Sequence, residues 1–219
     1  PGCRRLSPDS MGQDIDPFRA ISVSKRAHDL KTEGRRILHM EFGQPSTPAP
    51  RGAIARAHEV LDTDPMGYWE SRPLKERISQ HYRDEYGVDL TPGRVTLTCG
   101  ASPALVLALS TAFNPGDRIA LARPGYVAYR NTLRALNLAP VEIACGADVR
   151  YQLTAAALDS IDPAPAGVII ASPANPTGTI IPEDDLAAIA VSSRTRSIMA
   201  SAMGRTSDPC WSLIRMLTS

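Results

Sequence analysis

The sequence has no CxxC pair and no histidine at metal-ligand spacing from its four cysteines, Cys3, Cys99, Cys145 and Cys210. Cysteines so scattered build neither a zinc site nor a disulfide framework, and they fit a reducing compartment. The opening PGCRRLSPDS lacks the apolar run of a secretory signal, and it reads as a leader of unclear origin before Met11. No stretch approaches the roughly 18 apolar residues that read as a membrane-spanning helix. Charge of one sign is absent too: 24 basic and 23 acidic residues are dispersed along the chain, for a net charge of +1. Such a chain has no field to draw nucleic acid or an anionic bilayer. A cytoplasmic protein with a small-molecule ligand is expected, without nucleic-acid or membrane partners.

What is present is ample apolar material. With 219 residues and 43% hydrophobic content, the chain can bury one large core or two small ones. Apolar spacing predicts helices over residues 16–34, 53–61 and 73–87, with Pro73 opening the third and Gly87 closing it. Residues 37–42 read as a short strand, followed by a proline-rich connection. Beyond Arg94 the pattern turns regular. Strands are expected at 94–98 (RVTLT), 118–122 (RIALA), 141–144 and 167–171 (GVIIA), with helices at 102–113, 127–136 and 182–190. Short strands alternating with helices indicate an α/β fold, a mostly parallel sheet with helices on both faces. Ligands of such sheets sit at the carboxyl ends of the strands.

After Val191 the sequence holds seven serines, four arginines and one acidic residue, with no clean period of 2 or 3.6. A flexible tail, or a segment foreign to the fold, is the expectation.

Three strand ends carry chemistry. Thr98-Cys99-Gly100-Ala101-Ser102 leads from a strand into a helix, so the first free amides and the Ser102 hydroxyl can converge on an anion such as phosphate. A serine-capped tight turn is the plainer alternative. Neither GxxxxGK[ST] nor GxGxxG occurs. Arg123-Pro124-Gly125-Tyr126 places an aromatic ring after the RIALA strand, able to cover a flat ligand or merely to pack under a loop. Asn175, in Asn175-Pro176-Thr177-Gly178, offers a carboxamide to an anionic oxygen, or forms an Asx turn. One flat ligand bearing a phosphate and a phenolate, as pyridoxal 5'-phosphate does, would use all three.

At these words the sequence resembles the class I/II aminotransferases, of pyridoxal phosphate fold type I. The matching segments are LHMEFGQP (38–45), TCGAS (98–102), GDRIALARPGYVAYRNTLRALN (116–137) and ASPANPTGTI (171–180), in family order from about residue 15 to 190. The resemblance implies that the Ala101 amide and the Ser102 amide and hydroxyl hold the cofactor phosphate. It implies that Tyr126 stacks on the pyridine ring, that Asn175 donates to its phenolate oxygen, and that Gly43 lies beside the substrate carboxylate. Tyr68, in GYWESRP, resembles the tyrosine that reaches across a homodimer to the neighbour's phosphate. It departs from the family at Ser71 and Arg72, where a glycine is usual. On this resemblance residues 1–50 form an N-terminal arm and small-domain segment, 51–190 a partial cofactor-binding large domain, and 191–219 an aberrant or flexible tail. The substrates implied are an amino acid and a 2-keto acid. A carbon-sulfur lyase on the same scaffold, or a non-catalytic cofactor-binding pseudoenzyme, would show the same residues.

Such chemistry needs a lysine amine that links covalently to the cofactor and then shuttles a proton. The family's lysine lies downstream of the NPTG word, whereas Lys25, Lys31 and Lys75, the lysines of this chain, all lie upstream of the phosphate turn. None is a candidate catalytic residue. The family's ring-nitrogen aspartate belongs to an Asp-x-x-Tyr word, and Asp208 lies in no such word. The expectation is an N-terminal half of an aminotransferase, interrupted after Ala190 and inactive alone.

Overall fold

The computed structural model describes residues 18–43, 46–191, 197–203 and 212–218. Residues 1–17, Gln44, Pro45 and Asp208 lie outside the described residues. Two compact units emerge, one over Arg19–Leu97 and one comprising Phe18 and the described residues from Thr98 onward.

The first unit is helical: α1 (Arg19–Thr32), α2 (Arg51–Thr63) and α3 (Arg72–Tyr86). The ends of α3 follow from its sequence. Ser71 accepts a hydrogen bond from the Leu74 amide, Pro73 occupies the first turn where no donor is needed, and Gly87 closes the helix at φ 65°. Two expected strands are not formed. Residues 37–42 and 95–98 are irregular, and residues 92–94 form a 3-10 turn. An alternating segment becomes a strand only when a neighbour completes its hydrogen-bond ladder, and among the described residues neither segment has one. Leu38 and Met40 accordingly stay exposed.

In the second unit the order is α4 (Ala101–Ala112), β1 (Arg118–Arg123), α5 (Val127–Ala135), β2 (Ala139–Ala144), α6 (Ala155–Asp159), β3 (Gly167–Ala171), α7 (Glu183–Val191), β4 (Ser197–Met203) and β5 (Ser212–Thr218). The sheet order is β2-β1-β3-β4-β5. The pairings β2-β1, β1-β3 and β3-β4 are parallel, and β5 runs antiparallel to β4. The segment after Val191, in which no regular element was expected, thus supplies two strands. Gly167 pairs with Ser197 on one side and with Ile119 on the other, which makes β3 central.

Burial explains why these strands read as apolar runs rather than alternating ones. Ile119, Ala120 and Leu121 are all buried, as are Val168, Ile169 and Ile170. Successive side chains point to opposite faces, so the strands feed two cores. Ile119, Leu121 and Ile169 pack with Leu105 and Leu109 of α4 and Leu133 of α5. Ala120, Val168 and Ile170 pack with Leu158 of α6 and Ile189 of α7. Helices therefore cover both faces, as an α/β sheet of this kind requires. Among the described residues no helix is long and apolar enough to cross a membrane.

Candidate functional site

The sheet order locates the site. From β1 the chain passes to β2 on one side and then returns to β3 on the other, so the strand order reverses between β1 and β3. A crevice opens at such a reversal, outside the carboxyl ends of the two strands. Tyr126 follows β1 and Asn175 follows β3, and both line one cleft there, together with Gly125, Ala171, Ala174 and Gln152.

Tyr126 is set by its neighbours. The backbone of Gly125 passes so close to the Ala122 carbonyl oxygen that a Cβ on Gly125 would collide with it. Glycine is required at that bend, and it delivers Tyr126 to the start of α5 with φ −69°. The Tyr126 ring meets Tyr129 edge to face at 5.5 Å between centroids and Phe18 at 6.2 Å. Those contacts fix its plane while 36% of the residue remains exposed.

Asn175 sits on a loop tied at several points. The Ala174 amide donates to the Thr179 carbonyl at 2.9 Å, and the Gly178 amide donates to the Ala174 carbonyl at 2.7 Å. Gly178 has φ 70°, the left-handed conformation that glycine tolerates. At the loop's mouth the Ile181 amide donates to Ser172 Oγ at 3.1 Å. Gln152, buried to 5% exposure, donates through Nε2 to the Thr179 carbonyl at 2.6 Å and to Thr179 Oγ1 at 3.0 Å. The Asn175 side chain itself is exposed and makes no hydrogen bond among the described residues.

The third feature is the N-terminus of α4. Gly100 holds φ 98° and ψ 173°, a region that favours glycine, and no side chain caps the helix. The Thr98 hydroxyl donates to the Gly100 carbonyl at 2.8 Å, closing the turn. Pro103 has no N–H, so the open donors of the first turn are the amides of Ala101 and Ser102 and the Ser102 hydroxyl. A short link, residues 113–117, turns α4 back into β1, and Leu105 and Leu109 share a core with Ile119 and Leu121. The start of α4 therefore lies toward the carboxyl end of β1. Ser102 is not among the residues lining the Tyr126–Asn175 cleft.

The other two residues belong to the helical unit. Tyr68, in the irregular link between α2 and α3, is fully exposed, and Gly43 is exposed as well. Ser71, three residues after Tyr68, caps α3. Near Gly43, His39 Nδ1 lies 2.8 Å from Glu41 Oε1, and this contact holds the Glu41 carboxyl down at about 2. Lys75, the lysine nearest α4 in sequence, is paired with Glu70.

Sequence reasoning did not point to Gln152 or explain Gly125. Gln152 acts on a backbone 27 positions away, which no local pattern signals. The Pro-Gly dipeptide announced a bend, but the close approach to Ala122 appears only in three dimensions.

A mostly parallel sheet covered by helices on both faces, with a crevice at its order reversal, defines an α/β protein of the doubly wound kind. The family profile described as aminotransferase class I and II matches residues 43–200, and the chain belongs to that family. The match runs past Ala190 into β4. Among curated relatives, a valine--pyruvate aminotransferase of Mycobacterium tuberculosis is 40% identical over 179 residues, 80% of this chain and 46% of that protein. An aspartate/prephenate aminotransferase of Cereibacter sphaeroides is 30% identical, over 80% of this chain and 45% of its own length. A crystal structure of an aminotransferase from Mycobacterium tuberculosis superposes with a TM-score of 0.83 at 35% identity, covering 95% of this chain and 56% of that one. The chain thus spans about half the length of the relatives it matches.

Proposed function

We propose that this chain supplies the pyridoxal 5'-phosphate cradle of an aminotransferase that passes an amino group from an amino acid to a 2-keto acid. The observation that carries the reading is the shared cleft of Tyr126 and Asn175 at the β1/β3 reversal. The residues fit the group. Two amides and a hydroxyl at the start of α4 suit a phosphate, a half-open phenol suits a flat ring, and an uncommitted carboxamide suits an anionic oxygen.

When bound, the cofactor supplies an electron sink for the carbon that loses its proton. The chain's own residues do the rest of the holding. Ala101 and Ser102 donate to the phosphate, with each hydrogen bond to a charged oxygen contributing about 1.5–3 kcal/mol. Tyr126 covers one face of the ring and keeps water from it. Asn175 donates to the phenolate oxygen and favours its ionised form. By the family resemblance, Gly43 would serve the substrate carboxylate, and Tyr68 would serve the cofactor phosphate of a neighbouring subunit in a homodimer.

Turnover also needs a lysine amine, and the three lysines of this sequence all precede α4. The chain alone therefore holds the cofactor reversibly and does not transaminate. Absorbance titration with pyridoxal 5'-phosphate, followed by dialysis and by borohydride with mass analysis, tests this. Saturable binding that dialysis removes is expected. A stoichiometric borohydride-fixed adduct, or no binding at all, contradicts it.

A further inference from the structure

We infer that Gln152 is a positioning residue: its buried amide locks the loop over residues 172–181 and thereby sets where the Asn175 carboxamide points. The inference rests on the cofactor reading above, because Asn175 matters only if something accepts its hydrogen bond.

Glutamine is rarely buried unless its amide is satisfied. Here Nε2 reaches both the carbonyl and the hydroxyl of Thr179, at 2.6 and 3.0 Å. The same Thr179 carbonyl accepts the Ala174 amide at 2.9 Å, and Thr179 Oγ1 lies 2.8 Å from Thr177 Oγ1. Gln152 thus grips a residue whose two partners, Ala174 and Thr177, flank Asn175 in the chain. Asn175 has no hydrogen bond of its own among the described residues, so its direction is inherited from these neighbours. Gln152 and Asn175 also line the same cleft. Replacing the amide by an apolar group of similar length leaves the Thr179 carbonyl with one donor fewer in a buried setting.

Two measurements on the full chain test the assignment. Amide hydrogen exchange in Gln152→Met is expected to accelerate about tenfold or more at Ala174, Gly178 and Ile181, with the β3 amides unchanged. Titration with pyridoxal 5'-phosphate is expected to show weaker binding in Gln152→Met and in Asn175→Ala, with the double variant no weaker than Asn175→Ala alone. A merely structural glutamine would give losses that add. Unchanged exchange, or additive losses, overturns the positioning role while leaving the cofactor reading intact. If the wild-type chain takes up no cofactor, the cofactor reading fails and the positioning role fails with it. Should Gln152→Met not fold, Thr179→Val keeps the carbonyl and loses only the hydroxyl, and the same two measurements read a smaller change in the same direction.

Discussion

Gly125 lies so close to the carbonyl oxygen of Ala122 that no side chain fits between them. The bend this permits joins β1 to α5 and presents Tyr126 to the cleft. Gly125→Ala must push the backbone away from Ala122, at a cost of about 1–3 kcal/mol, as for other overpacked sites. Urea denaturation should show a lower midpoint with an unchanged slope. Cofactor affinity should fall as well, because Tyr126 moves with the bend.

Gly100 adopts φ 98°, and Gly100→Ala should strain the turn into α4 by about 1–3 kcal/mol. Ser102→Ala tests the same cradle without touching the backbone. It removes one donor to a charged oxygen, and cofactor affinity should fall about tenfold to a hundredfold while the thermal midpoint stays put. Titration calorimetry on both variants separates the two effects.

Burial pushes the Cys145 thiol up, and its Sγ lies 3.4 Å from the Ile143 carbonyl, whereas Cys99 is exposed at the turn into α4. The thiolate is the reactive form. At pH 8 a thiol reagent should label Cys99 promptly and Cys145 only after denaturant is added, as peptide mapping by mass spectrometry would show. Bound cofactor should slow labelling of Cys99, which lies two residues before Ala101 in sequence.

Glu41 titrates near 2, against an ordinary 4.5, chiefly through the hydrogen bond from His39 and then through its own backbone amide, with burial opposing. A carboxyl held low in the folded state adds stability that is present above 4.5 and is lost as the pH falls from there through about 2. A carboxyl-carbon NMR titration should place the midpoint near that lower value. His39→Ala should move it back up.

Much of the fold was legible because local chemistry and burial agree. The Ser71 and Gly87 ends of α3 follow from cap chemistry, and β1 and β3 follow from apolar runs that two covering layers of helix require. Residues 37–42 and 95–98 misled because alternation reports only that one face could be buried, and it says nothing of whether a neighbouring strand exists. β4 and β5 were missed for the opposite reason. SIMASAM and SLIRMLT carry little periodicity of their own, and pairing organises them. Of the candidate residues, Tyr126 and Asn175, which share the cleft, were readable from turn words after β1 and β3, and the position of Ser102 in the first turn of α4 from the glycine turn before it. Gln152 was not, since its partner lies 27 residues downstream and a lone glutamine after a turn carries no pattern.

The central claim is that the start of α4, Tyr126 and Asn175 act on one ligand, and affinity for pyridoxal 5'-phosphate across Ser102→Ala, Tyr126→Ala and Asn175→Ala tests it most directly. Saturable binding by the wild type, weakened in each variant without loss of the folded state, is the predicted result. Affinity indifferent to all three substitutions, or no uptake by the wild-type chain, would contradict it.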